Sequence, residues 1–227
     1  YQIQPNKISV QEELEKALST ILRTEIKTTG AGRTDTGVHA KKMFAHFDFD
    51  GEISEKLVHQ LNSFLPPSIA IKRIFEVKED FHARFSAKYR TYEYYISLEK
   101  NPFSEKFAWQ HWRKTLDVEK MNEACKILFE YEDFGSFAKV GADNKTNICK
   151  IYHANWEQNG NELKFTISAD RFLRNMVRAI VGTMVEIGSG KLKPADLRNV
   201  IEAKNRGVAG TSAPAHALFL VDVGYDF

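Results

Sequence analysis

Hydrophobic positions near the start of the chain recur at the spacing of an amphipathic helix. Ser9 precedes them and can form a capping box with Glu12. The pattern predicts a helix that runs to about Arg23. The positions on its apolar face are Val10, Leu14, Ala17, Leu18 and Ile21.

The remainder of the first half predicts a loop, a second helix and three strands. Residues 27–37 are rich in Gly and Thr and predict a loop, and alternating apolar positions predict a strand directly after it. Ser54 can cap a helix that the Pro66-Pro67 pair ends. Apolar residues at 69–77 and 89–98 predict two more strands. The apolar positions are Met43, Ala45, Phe47 and Phe49 in the first strand and Leu57, Val58, Leu61 and Leu65 in the helix.

The second half predicts a hairpin and three more helices. Asp117 can cap a helix, and the Asn159-Gly160 pair predicts the turn of a hairpin between residues 151–156 and 163–167. A further helix stops near Gly188, Pro194 opens another, and residues 218–223 predict a closing strand. The apolar helix positions are Met121, Cys125 and Leu128 in the first helix and Phe172, Met176, Ile180, Met184 and Ile187 in the second.

These elements interleave irregularly, and the hairpin implies antiparallel pairing. The pattern therefore predicts an α+β fold in which two similar halves share a mostly antiparallel sheet flanked by helices. We place the boundary in the Asn101-Pro102 turn, with an N-terminal half at 1–100 and a C-terminal half at 101–227.

Composition excludes several classes of protein. The 227 residues are 43% hydrophobic and 27% charged, which favours a folded globular chain over a disordered or fibrous one. The net charge is only +2, so affinity for a polyanion requires local clustering of the basic residues. Cys125 and Cys149 lack the spacing of a zinc site or a disulfide framework, which favours a reducing, cytoplasmic location. We expect no membrane span and no targeting segment, because the apolar runs are short and the first residues are polar.

The segment Gly30 to Ala40 partly imitates two phosphate-binding motifs. Gly32 and Gly37 have the spacing of a P-loop, but Val38-His39 stand where that motif needs Lys and then Ser or Thr. Asp35 replaces the third glycine of a dinucleotide fingerprint and would place a negative charge against the pyrophosphate. Both motifs are therefore rejected, and no nucleotide cofactor is expected.

What remains is a carboxylate, Asp35, in a glycine-permitted loop with Arg33 two residues before it. An Asp in such a turn more often bonds local backbone amides than performs catalysis. The run Gly32-Arg33-Thr34-Asp35-Thr36-Gly37-Val38-His39-Ala40, however, resembles the signature of the tRNA pseudouridine synthase A (TruA) family. The resemblance implies that Asp35 is the catalytic aspartate. Thr36 departs from the family, which commonly has Ala there.

Four other segments resemble the same family in the same order along the chain. They are Gln2–Asn6, Phe81–Ala87, Asp133–Phe137 and Phe172–Gly182. The family normally has a strand and a Gly-Trp pair before the first of these segments, whereas here Tyr1 meets Gln2 directly. We expect that this first strand has been trimmed or is unrecorded.

The resemblance assigns two partners to the carboxylate. Tyr92 matches the family's active-site tyrosine, and it shares one face of its predicted strand with Arg90 and Tyr94. Without the resemblance, Tyr92 would be interpreted as a packed core aromatic. Arg178 matches the arginine that pairs with the catalytic aspartate. Without the resemblance, its recurrence with Arg171 and Arg174 at helical spacing would indicate only a solvated basic face.

Other residues are candidates for binding RNA. Basic side chains near the proposed site would supply most of the affinity through phosphate contacts, although half of them would serve equally well as ordinary surface charge. Leu218 either lines the pocket or packs in the core, and His39 and His216 are expected to be structural rather than catalytic. The basic candidates are Arg33, Lys41, Lys42, Arg84, Lys88, Arg90, Arg171 and Arg174.

The resemblance implies an isomerase that converts uridine to pseudouridine in tRNA, without metal or cofactor. The implied targets are three successive positions on the 3′ side of the anticodon stem-loop, and the implied assembly is a homodimer. A noncatalytic RNA-binding module is the alternative, because an aromatic strand and basic residues would serve it equally well. Asp35 distinguishes the two, because a protein that only binds RNA gains nothing from a carboxylate that faces phosphates.

Overall fold

The computed structural model describes residues 1–4, 7–112, 115–142 and 144–227. Pro5 and Asn6 of the Gln2–Asn6 segment lie outside the described residues. The chain forms two compact units. The first comprises Tyr1–Thr34, Met43–Ala87 and Tyr225–Phe227, and the second comprises Asp35–Lys42 and Lys88–Gly224.

Two helices build the apolar core of the first unit. Helix α1 spans Val10–Leu22, and the Ser9 side chain accepts a hydrogen bond from the Glu12 N–H, as the capping box predicts. Helix α2 spans Leu57–Phe64 and ends directly before Leu65 and the two prolines. Both helices are confirmed, but the predicted cap of the second is wrong: Lys56 is the N-cap of α2, and Ser54 Oγ accepts from the Lys56 N–H in the turn before it. The core residues they bury are Ala17, Leu18, Leu57 and Leu61.

The strands of the first unit are shorter and fewer than the pattern predicts. Strand β1, Thr29–Gly30, pairs antiparallel with β3, Ala45–His46, which is all that forms of the strand predicted at 43–49. The strand predicted at 69–77 is wrong. The Asn62 side chain bonds both the N–H and the C=O of Ile71, at 2.7 and 2.8 Å, and so takes the place of a neighbouring strand.

The second unit is built on a mixed sheet of six strands. The order is β2-β8-β4-β7-β6, and β5 also pairs with β4. The three longest pairings are antiparallel, whereas β2 with β8 and β4 with β5 are parallel. The strands are β2 His39–Ala40, β4 Tyr89–Ser97, β5 Trp109–Gln110, β6 Ile151–Asn159, β7 Glu162–Ala169 and β8 Leu218–Gly224. The α+β class is therefore confirmed, with a sheet flanked by helices.

The β6–β7 hairpin confirms the prediction in the second half of the chain. Asn159 faces Glu162 across the ladder, so the two-residue loop is Gly160–Asn161, one residue later than predicted. Gly160 has a positive φ of 58°, which glycine adopts without steric cost.

Three helices pack in the second unit. Helix α3, Val118–Leu128, begins at Asp117, whose side chain accepts from the Lys120 N–H as predicted. Helix α4, Met176–Gly188, is buried along most of its length, and α5, Asp196–Glu202, begins two residues after Pro194. Phe172 was predicted to lie inside α4, but the left-handed backbone of Asn175, with φ of 69°, delays the helix start to Met176.

The described part of the chain contains no helix long and apolar enough to cross a bilayer. Within the same residues, no cluster of His, Cys, Asp and Glu has the arrangement of a metal site. Cys125 and Cys149 are both buried and unpaired with another cysteine, and burial raises the pKa of each thiol to about 12.

Candidate active site

A tight turn carries Asp35 into the second unit. The Val38 N–H donates to the Asp35 carbonyl at 3.1 Å, and Gly37 takes the third position of the turn with φ of 86°. A positive φ at this position favours glycine, because glycine has no Cβ to clash with the backbone. The chain then enters β2, where His39 pairs with Phe219 of β8. The carboxylate is therefore fixed to an edge of the sheet.

Two guanidinium groups face the Asp35 carboxylate. Arg178 Nη1 donates to Oδ2 at 3.1 Å, and the two side chains are only 23% (Asp35) and 21% (Arg178) exposed. Arg174 Nε lies 3.7 Å from Oδ1, but the Arg174 side chain is 59% exposed. Because partly buried pairs are screened less than exposed ones, Arg178 is the principal partner.

Arg178 is held from a second direction. It lies in the first turn of α4, and its Nε donates to the Ala213 carbonyl at 2.7 Å. The Ala213 N–H donates in turn to the Arg178 carbonyl at 3.0 Å. With Nε on a backbone oxygen and Nη1 on the carboxylate, both the plane and the direction of the guanidinium are set.

Tyr92 lies on β4 with its ring edge against Phe172, at a centroid distance of 5.3 Å. Burial raises the pKa of the Tyr92 hydroxyl to about 12; the Arg90 charge opposes this shift and the Asp35 carboxylate adds to it. Tyr92 therefore carries its proton at neutral pH. The carboxylate of Asp35 is also close enough to act on it electrostatically.

The basic stripe predicted on one helix is wrong. Arg171 and Arg174 lie in the loop before α4, and only Arg178 belongs to the helix, because the helix begins after Asn175. Arg174 nevertheless reaches Asp35 from the loop. Arg171 donates its backbone N–H to Asp170 Oδ1 at 2.7 Å, and it is not brought to the carboxylate by any contact seen here.

Arg90, at the start of β4, is directed to the end of β7. Its Nη1 donates to the Asp170 carbonyl at 2.8 Å. Its charge also lowers the pKa of Tyr92 against the effect of burial, so it lies within electrostatic reach of that ring.

Lys41 and Lys42 are engaged elsewhere on the sheet. Lys41 Nζ donates to Glu93 Oε2 at 3.0 Å and to the Tyr95 hydroxyl at 3.1 Å. Successive strand residues point to opposite faces, so Glu93 and Tyr95 lie on the face opposite Tyr92. Lys42 Nζ pairs with Asp222 Oδ1 at 2.6 Å. These contacts do not bring either lysine to Asp35.

Two of the basic candidates belong to the first unit. Arg33 is exposed, and the Arg84 guanidinium lies 5.5 Å from the centre of the Phe85 ring. Leu218, in the second unit, is 5% exposed and pairs with Tyr94 across the β4–β8 ladder. It is part of the apolar core.

The two histidines lie beside a separate cleft of the second unit. The His39 ring stacks on Phe219 at 4.7 Å, and its Nε2 lies 3.2 Å from the Lys106 carbonyl. His216 Nε2 lies 3.3 Å from the Ala108 carbonyl. Both line a cleft of about 580 Å³ together with Trp109. Their hydrogen bonds to backbone carbonyls agree with a structural role.

Comparison with known proteins identifies the family. The sequence profile described as tRNA pseudouridine synthase matches residues 124–226. A protein of Parabacteroides distasonis is 54% identical over 99% of this chain and 90% of its own length. Proteins of Bacteroides fragilis and Bacillus subtilis are 55% and 40% identical, over 99% and 100% of this chain and 90% and 93% of their own lengths. All three are named tRNA pseudouridine synthase A.

The chain belongs to the tRNA pseudouridine synthase A family. The resemblance stated from the Gly32–Ala40 signature is therefore confirmed. In this member of the family, the candidate residues Asp35, Arg174, Arg178 and Tyr92 all lie within the second unit.

The sequence did not identify the groups that hold Arg178. The acceptor for its Nε is the backbone carbonyl of Ala213, and a peptide oxygen has no signature in a sequence. Tyr94 and Ser212 were not singled out either, although Tyr94 donates to the next carbonyl, that of Pro214, and Ser212 directly precedes Ala213 and accepts from Asn175. The one available signal was Pro214, because a proline restricts the residue before it to extended backbone.

Proposed function

We propose that this chain converts uridine to pseudouridine in tRNA and that Asp35 is its catalytic carboxylate. The enzyme class, an isomerase, follows from its family. The observation that supports the catalytic assignment is the half-buried Asp35–Arg178 pair, with a protonated tyrosine in electrostatic reach. A carboxylate oriented by a guanidinium and accessible to solvent is suited to attack or to take a proton.

The reaction moves the uracil from an N1 attachment to a C5 attachment without net hydrolysis. Ionised Asp35 starts cleavage of the N1–C1′ bond, by attack on the base or the sugar or by removal of a sugar proton. The detached uracil turns and forms the C5–C1′ bond. The C5 proton then leaves to a base, and N1 takes up a proton, so that atoms and charge balance.

Arg178 fixes the direction of the Asp35 carboxylate. A guanidinium at 3.1 Å stabilises the negative charge and sets which oxygen faces the substrate. The second oxygen lies near the more exposed Arg174, which can move with less cost.

Tyr92 stacks on the everted uracil in this proposal. Base stacking on an aromatic ring contributes about 1 to 3 kcal/mol, which is comparable with the few kcal/mol needed to flip a base. Because burial keeps the hydroxyl protonated, Tyr92 would act first as a hydrogen-bond donor. Any part in the final proton transfer would require the proton to leave it beforehand.

The finer features of the family are part of the proposal. We propose that the targets lie on the 3′ side of the anticodon stem-loop, that the enzyme is a homodimer and that it works in the cytoplasm, where tRNA is modified. The pseudouridine-synthase fold with two similar halves divided near residue 100 belongs here too. Phosphate binding is assigned to Arg33, Lys41, Lys42, Arg84, Arg90, Arg171 and Arg174, and contact with the base pocket to Leu218.

The test is tritium release from C5-labelled uridine in a tRNA transcript. The full-length protein should release tritium, and Asp35→Ala should lose release while keeping its tRNA affinity. Asp196→Ala is the matched control, because Asp196 is the first residue of α5 and, among the described residues, its side chain accepts from the Lys193 N–H. Binding without release by the wild-type protein would instead identify a noncatalytic RNA-binding module.

A further inference from the structure

Tyr94 is a fully buried tyrosine in the middle of β4, two residues after Tyr92. It pairs with Phe165 of β7 and Leu218 of β8, and its side chain is 0% exposed. A phenolic hydroxyl in such a core needs a hydrogen-bond partner. It donates to the Pro214 carbonyl at 3.0 Å.

The Pro214 carbonyl is one peptide away from the group that orients Arg178. Ala213 precedes Pro214, and its carbonyl accepts from Arg178 Nε at 2.7 Å. The ring of Pro214 fixes its φ, which is −53° with ψ of 139°, so a shift of the Pro214 carbonyl is passed on to the Ala213 carbonyl. The Arg178 charge also acts on the Tyr94 hydroxyl, which places the two side chains near one another. The contacts therefore run from Tyr94 through residues 213 and 214 to Arg178 and then to Asp35.

Segment 210–214, which we call the brace, is fastened to α4 on its other side. Ser212 Oγ accepts from Asn175 Nδ2 at 2.7 Å and from Arg206 Nη2 at 2.8 Å. The Gly210 N–H donates to Thr183 Oγ1 at 3.0 Å. The brace thus has one anchor on β4, supplied by Tyr94, and others beside and within α4.

We propose that Tyr94 is a positioning residue for the reaction, because its hydroxyl holds the brace in the place where the Ala213 carbonyl orients Arg178 toward Asp35. This inference rests on the proposed function. Tyr94 makes no contact with substrate in it. Loss of the hydroxyl would let the Pro214 carbonyl shift, and Arg178 would meet the carboxylate at a changed angle.

The first test is Tyr94→Phe in the full chain, assayed by single-turnover tritium release. We expect the rate of the chemical step to fall about tenfold, which equals about 1.4 kcal/mol, while KM and tRNA affinity stay within twofold. Tyr131→Phe is the matched control, because it also removes a hydrogen-bonded tyrosine hydroxyl, one that donates to Glu202. The control should keep its full rate.

A double-mutant cycle separates positioning from a general loss of stability. If Tyr94 acts through Arg178, then Tyr94→Phe should cost less than twofold in an Arg178→Ala background. Independent structural damage would instead multiply the two losses, and that result would refute the proposal. A fully active Tyr94→Phe would refute it as well.

A second variant keeps the proposal testable if Tyr94→Phe fails to fold. Ser212→Ala releases the brace from Asn175 and Arg206 and leaves Tyr94 intact. It should also slow the chemical step severalfold and lose that effect in the Arg178→Ala background, and an additive effect would count against the brace. If the wild-type protein itself releases no tritium, the proposed function fails, and the brace proposal fails with it. An active wild type with unaffected variants rejects only the brace.

Discussion

Replacement of Arg178 by Ala is the substitution whose effect on the rate follows most directly from distances in the structure. The change removes the Nη1 donor from Asp35 and the Nε donor from the Ala213 carbonyl. Of its ion pairs with described residues, Asp35 then keeps only the longer and more exposed one with Arg174. We expect a large loss of rate.

The magnitude follows from the geometry of the pair. Two unit charges at the observed 3.1 Å attract with about 5 kcal/mol at an effective dielectric constant of about 20. Both side chains keep about a fifth of their surface exposed, so water and Arg174 would recover part of this energy. A net loss of about 3 kcal/mol remains, which corresponds to a rate loss of about a hundredfold.

The assay compares Arg178→Ala with Arg178→Lys and with a matched control. Lysine keeps the charge, but its ammonium lacks the planar fork that meets Ala213 and Asp35 together, so we expect an intermediate loss of about tenfold. Arg198→Ala is the control, because Arg198 forms its bidentate pair with Glu130 on the surface. Single-turnover tritium release gives the rate, and filter binding gives the tRNA affinity.

Two results would refute this reasoning. Near-normal turnover in Arg178→Ala would remove Arg178 from the site. A large loss of tRNA affinity with an unchanged rate would make it a phosphate contact instead.

The remaining predictions concern Tyr92 and the effect of alkaline pH. Tyr92→Phe should keep tRNA affinity and form pseudouridine more slowly in a single-turnover assay, and unchanged kinetics would leave only the stacking role. The raised pKa of Tyr92, about 12, means that the folded state holds this proton more tightly than the unfolded state does. The contribution of this group to the free energy of unfolding is therefore fully present below about pH 10. Between about pH 10 and pH 12 it falls by about 1.4 kcal/mol per pH unit. Urea unfolding measures the free energy of unfolding, which should fall between about pH 9 and pH 11. This fall should be about 1.4 kcal/mol smaller in Tyr92→Phe than in the wild-type protein, and equal falls would contradict the assignment.

Elements with strong local signals were predictable from the sequence. The caps at Ser9 and Asp117 appear where the pattern places them, and the glycine turn of the hairpin appears within one residue of its predicted place. These signals depend on side chains that bond the backbone within a few residues. Tertiary packing therefore changes little in them.

Other features depended on contacts between distant residues. The Asn62 side chain replaces a strand partner for Ile71, so an apolar alternating segment forms no strand. The start of α4 depends on a single left-handed residue, Asn175. The helical spacing of the arginines around it gave no sign of this start. The surroundings of Lys41 depend on the parallel pairing of β2 with β8, which brings residues 39 and 219 together. No local signal encodes such pairings.

The site itself was predictable only in part. The signature supplied Asp35, and the resemblance supplied Arg178 and Tyr92 as candidates. The structure brings Asp35 and Arg178 into contact and adds Arg174. The brace was not predictable, because its bonds to Tyr94 and Arg178 use backbone oxygens and its other bonds join residues far apart in the sequence.

The backbones of helix α4 and the brace approach each other closely at two glycines, Gly182 and Gly210. A Cβ on Gly182 would collide with the Thr211 carbonyl, and one on Gly210 would lie 2.7 Å from the Thr183 nitrogen. Evolution of this enzyme toward higher stability is therefore constrained at these two positions. An alanine at residue 182, ordinarily favourable inside a helix, would push the neighbouring chain outward and carry the acceptor of Arg178 with it. The short distance between the two backbones thus limits how far substitutions in α4 can raise its stability without slowing the reaction.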